Sequence, residues 1–71
     1  MRLGTAEIKV IAAMREQEII EYLKLHESEL DFEDTVEKAK GAHTVALAEK
    51  NHEEAQRITD FIEMVMMFVT A

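Results

Sequence analysis

Glu49 and His52, in Glu-x-x-His spacing, are the residues of this 71-residue chain best arranged for metal chemistry. On one continuous helix that spacing sets a carboxylate and an imidazole on the same face, as carboxylate-bridged di-metal bundles require. Such a site also needs a second Glu-x-x-His and a further Glu from each neighbouring helix. A symmetric dimer supplies the second copy, with Glu18 or Glu21 as the bridging ligand. Glu49 falls off the apolar stripe of its helix, so a hydrated face without metal is the expectation. Ser28 is the only Ser and has no Gly-rich elbow, and the Thr residues fall in helical contexts. The chain is expected to be neither an enzyme nor a cofactor protein.

Two short segments carry partial likenesses. Glu16, Glu18 and Glu21 loosely resemble the Glu-rich helix of all-α nucleotide pyrophosphatases. That resemblance implies a Mg²⁺ cage completed by a later Glu-x-x-Asp, and no Glu here is followed three residues on by Asp. Half the cage is missing, and a solvated face is expected. Ala46 through Ala55 resembles the turn of tetratricopeptide helix pairs, but the Trp, Gly and Tyr positions of that pattern are not met, and one pair cannot make a solenoid. Neither likeness assigns a family.

The stronger candidates concern binding. Met64, Met66 and Met67 are flexible thioethers of the kind over-used on adaptable binding surfaces. They are expected to fill gaps in a homo-oligomer core, and mark a binding groove if exposed. The acidic run containing Glu29, Asp31 and Glu33 is the second candidate surface. With 8 Lys and Arg against 15 Asp and Glu, the net charge is −7. No basic patch exists to meet phosphates, which argues against direct binding of DNA or RNA. The same acidity permits an alternative, an acidic mimic of nucleic acid that occupies a binding protein's site. A further alternative is a small-ligand trap between protomers, lined by Arg2, Lys9, Arg15 or Tyr22.

These residues must be held by helices. The chain has no Pro, two Gly and no Cys, and is rich in strong helix formers. The expected fold class is all-α, one domain over residues 1–71. Thr5 is expected to cap a first helix running to about Glu27, with the stripe Ile8, Ile11, Ala12, Ile19, Tyr22, Leu23 and His26 and one polar intrusion, Arg15. An acidic, partly helical connector follows, with Ser28, Asp31 and Asp34 as cap types. From Gly41 onward an unbroken stripe predicts one helix of about 29 residues, roughly 43 Å long. The competing reading starts a third helix at His52 behind the capping-box-like Asn51-His52-Glu53-Glu54. A helical hairpin is thus expected, with a three-helix unit as the alternative.

The final segment is apolar nearly all the way round, beyond the stripe of roughly 100° that a surface helix needs. Small folds without disulfides often oligomerise. The expectation is therefore a homo-oligomeric bundle, dimer or higher, whose interface uses Ile8, Ile11, Ile19, Leu23, Ile58, Phe61, Ile62, Val65 and Phe68. Its function would be that of a non-enzymatic regulator or adaptor binding a protein partner. The apolar run is shorter than the roughly 20 residues that span a bilayer, and no secretory leader pattern opens the sequence. A cytoplasmic location is the expectation.

Overall fold

Two turns containing neither Gly nor Pro cut the expected long helices. The computed structural model describes residues 1–70, and these form α1 (Thr5–Ala12), α2 (Glu16–Leu25), α3 (Phe32–Ala48) and α4 (His52–Thr70). The all-α class holds. The hairpin of two long helices does not, and the three-helix alternative is one helix short.

The first turn divides the expected Thr5–Glu27 helix. Met14 N–H bonds the Ile11 carbonyl at 3.0 Å, a tight closing turn, and Arg15 is extended at φ −67°, ψ 148°. Ala13, Met14 and Arg15 are all good helix formers, so local propensity opposes this break. Burial overrides it. The bend lets α1 set Ile8, Ile11 and Ala12 against α3 and α4 while α2 turns Ile19 and Leu23 onto α4. A straight helix would leave one of those two groups in water, at about 1.5–3 kcal/mol per large side chain. The α1 cap is Gly4 rather than Thr5, its N–H donating to Glu7 Oε1 at 3.0 Å.

The second turn separates α3 from α4. Asn51 N–H bonds the Ala46 carbonyl at 2.8 Å and Lys50 N–H bonds the Leu47 carbonyl at 3.0 Å. These are the paired bonds of a Schellman ending, with Lys50 in the left-handed region at φ 59° where Gly is usual. Asn51 then caps α4. Its Oδ1 accepts from Glu54 N–H at 3.2 Å, and its Nδ2 donates to Glu54 Oε2 at 2.9 Å. The capping signal at Asn51-His52-Glu53-Glu54 thus prevails over the unbroken stripe.

α3 and α4 pack as an antiparallel pair. α3 offers a small-residue face of Ala39, Ala42 and Ala46, into which α4 sets Ile58, Phe61 and Val65. Phe32 stacks on Phe68 with centroids 6.0 Å apart, tying the end of α4 to the start of α3. Leu3, which no periodic stripe marked, is 2% exposed and completes the core with Leu30.

This packing changes the place of the expected interface. Ile8, Ile11, Ile19, Leu23, Ile58, Phe61 and Val65 are buried within a single chain, and Ile62 and Phe68 pack partly against them. Four short helices offer α4 neighbours on more sides than two long ones would. Self-association through the seven buried residues would therefore require the chain to open. The accessible surface, 4719 Å², is close to the roughly 4,500 Å² of a monomer of this mass.

Candidate functional site

The apolar groups left outside are a different set. Met1, Val10, Met14, Leu25, Val45, Leu47, Met66, Met67 and Val69 are exposed. Most stand singly, as surface apolar residues commonly do. Those at the end of α4 flank two clefts, one on each side of the helix.

The first cleft, of about 510 Å³, lies between the first half of α3, the end of α4 and the N-terminal segment. Val36, Met66 and Val69 are its apolar lining, and its polar lining is four acids, Asp31, Glu33, Asp34 and Glu37, with two bases, Arg2 and Lys40. The fold so joins two candidates that are about 35 positions apart in sequence, the methionines and the acidic run. Antiparallel pairing is the reason, since it brings the last turns of α4 beside the first turns of α3.

Each rim acid has its own setting. Asp31 caps α3, its Oδ1 accepting from Asp34 N–H at 3.0 Å. That hydrogen bond holds its carboxyl below the usual carboxylate range; slight desolvation opposes it, and the Arg2 guanidinium, with Nε 3.5 Å from Oδ2, reinforces it. The Asp31 carbonyl accepts from both the N–H and the hydroxyl of the buried Thr35, at 3.0 and 2.8 Å. Asp34 Oδ2 is shielded from solvent and lies 3.0 Å from Lys38 Nζ, an ion pair without well-directed hydrogen-bond geometry. Glu33 and Glu37, both exposed, have no cation within ion-pair distance among the described residues. Glu29 is exposed and within 4.0 Å of His26, outside the cleft lining.

The second cleft, of about 350 Å³, lies on the other side of α4. Met14, Met64 and Met67 share it with Arg57, Asp60 and Glu63. Met64 is buried at 8% exposure, as a core methionine, whereas Met67 is 64% exposed. Of Met64, Met66 and Met67, Met66 alone lines the first cleft, and Met64 and Met67 line the second, Met64 from within the core.

No family model matches this chain, and no curated protein or solved structure matches it either.

The residues singled out for chemistry are not gathered. Glu49 is the C-cap of α3 and His52 opens α4, so the Glu-x-x-His spacing never lies on one helical face. Among the described residues no three His, Asp or Glu side chains converge as metal ligands. Glu16, Glu18 and Glu21 are exposed on α2. Arg2 and Lys9 line different clefts, Arg15 precedes α2, and Tyr22 packs on His26 with centroids 4.5 Å apart. No helix among the described residues is long and apolar enough to cross a membrane.

Proposed function

We propose that this chain is a non-enzymatic small regulator or adaptor that works by binding a macromolecular partner and that also self-associates. The observation supporting this most directly is the first cleft. Met66 and Val69 remain 44% and 45% exposed beside an acidic rim after the chain has completed a core of its own. Apolar groups concentrated in a concave surface with a polar margin are the usual anatomy of a protein-binding site. Self-association is assigned to the other side of α4, around Met14 and Met67. Arg57, paired with Glu53 at 2.6 Å, lies there with Asp60 and Glu63, and a two-fold interface must be complementary to its own image, which a lining of both signs allows.

A photo-crosslinking residue at position 69, in cells that make this protein, tests the partner half. A discrete adduct with another macromolecule is expected; absence of any adduct sinks it. Sedimentation velocity across a concentration series tests the other half. A dimer or larger species is expected for the native chain, and a folded monomer for Met67→Asp. A native chain that stays monomeric throughout removes self-association from the proposal.

A further inference from the structure

The first cleft has a chemistry that narrows its occupant. Glu33 and Glu37 are four residues apart on α3, where like charges repel and destabilise a helix. The positive end of the α3 dipole compensates Glu33 in the first turn, but its influence falls off before Glu37. Among the described residues neither acid has a cation within ion-pair distance, while Asp31 and Asp34 have Arg2 and Lys38. The lining thus holds four acids against two bases, Arg2 and Lys40, an excess of negative charge beside the exposed Met66 and Val69.

We infer that this cleft docks one cationic amphipathic helix of a partner protein, an inference that rests on the binding reading above. The apolar stripe of that helix would cover Val36, Met66 and Val69, and its Lys or Arg side chains would reach Glu33 and Glu37. The dimensions agree. Glu33 to Lys40, the length of α3 along the cleft, spans about 10 Å, two helical turns. That is the reach of i, i+4, i+7 anchors in helix-in-groove recognition. A flexible thioether suits a groove that must adapt to such anchors. The net charge of −7 attracts a cationic segment to the protein as a whole and repels an acidic one. A second copy is the poorer occupant, because two-fold pairing would bring together two linings that each hold four acids against two bases.

The probe is a designed Lys/Leu peptide forming an amphipathic helix of about three turns. A Glu/Leu peptide of the same pattern and a Lys-rich peptide without an apolar stripe serve as controls. Titrations are read by peptide fluorescence anisotropy and by the Met66 methyl NMR signal, with the Met67 methyl as an internal reference for the opposite face. The Lys/Leu peptide is expected to bind at least about tenfold more tightly than either control. It should shift Met66 more than Met67 and weaken as salt rises. Glu33→Gln and Glu37→Gln should each weaken it about two- to fivefold, and Met66→Ser further, with the melting temperature of each variant confirming that the fold is intact.

Equal binding of the Glu/Leu peptide overturns the inference, as does binding indifferent to the Gln variants, a larger shift at Met67, or no binding. So does a concentration-dependent shift of Met66 without peptide, which would make a second copy the occupant. If crosslinking at position 69 traps a macromolecule while the cationic peptide fails, the binding reading stands and only this occupant is lost. If both fail, both fall.

Discussion

The Lys38 ammonium donates to the Leu3 carbonyl oxygen at 2.8 Å, joining α3 to a residue 35 positions earlier. The same ammonium faces Asp34 at 3.0 Å. It therefore fastens the N-terminal segment where Leu3 enters the core and Asp31 N–H reaches the Met1 carbonyl at 2.9 Å. Lys38→Met keeps the aliphatic stem and removes the donor. A hydrogen bond to a charged group contributes about 1.5–3 kcal/mol, reduced toward 1 kcal/mol here by partial exposure. The expected result is a melting temperature several degrees lower and faster amide exchange at Asp31. Unchanged exchange there would show that Leu3 burial alone holds the segment.

The turn between α3 and α4 can be tested by sign. Lys50→Gly relieves a left-handed non-Gly residue and should stabilise the chain by roughly 0.5–1 kcal/mol after the entropy of the unfolded chain is counted. In a continuous helix the same change would cost about as much. Asn51→Ala should destabilise by about 1 kcal/mol through loss of the α4 cap, whereas in a continuous helix Ala would help. Chemical denaturation of both variants distinguishes the two cases.

Core and surface positions of α4 should separate cleanly. Phe61, 0% exposed, is central to the packing, so Phe61→Ala should cost about 3–5 kcal/mol. Val65→Asp places an unpaired charge in the same interior and should unfold the chain. Met67→Asp, at a position 64% exposed, should leave the melting temperature within about a degree or two at concentrations where the native chain is monomeric, and lower it where the native chain self-associates. Loss of helicity in Met67→Asp would mean that a second copy is part of the folding unit.

Acid should weaken the α3 cap. The carboxyl of Asp31 titrates below its ordinary value, chiefly through the Asp34 N–H bond. Its contribution to stability is therefore fully present above the unfolded value of about 3.9 and is lost as pH falls through the lower folded one. Asp31→Asn retains a capping oxygen without the charge. Wild type should exceed this variant in melting temperature at neutral pH, with the gap closing below about pH 4. A gap that persists in acid would assign the difference to packing.

Residues already announce much of this architecture. The absence of Pro and the excess of Ala, Glu, Lys and Leu specify helix wherever local energetics decide, and the stripe through Ala55, Ile58, Ile62, Val65 and Val69 marks the core face of α4 as far as Val65, while Val69 is 45% exposed. The cap at Asn51 is legible because a side-chain oxygen three residues before Glu54 makes a local bond. The break after Ala12 has no such mark: it opposes propensity, and only the neighbours waiting on α3 and α4 favour it. Leu3 is equally silent, a single apolar residue outside any helix whose burial depends on a connector thirty positions away.

Composition and short-range pattern by themselves determined an all-helical chain with a strongly apolar ending and an acidic middle, because helix bonds and caps form within a few residues. Tertiary structure alone decided where that ending goes. It folds α4 into the chain's own core, sends Met64 inward and Met66 and Met67 to opposite sides, and lays the acidic start of α3 along one of those sides. Burial depends on contacts between distant segments, and periodicity within one segment carries no record of which neighbour will cover it.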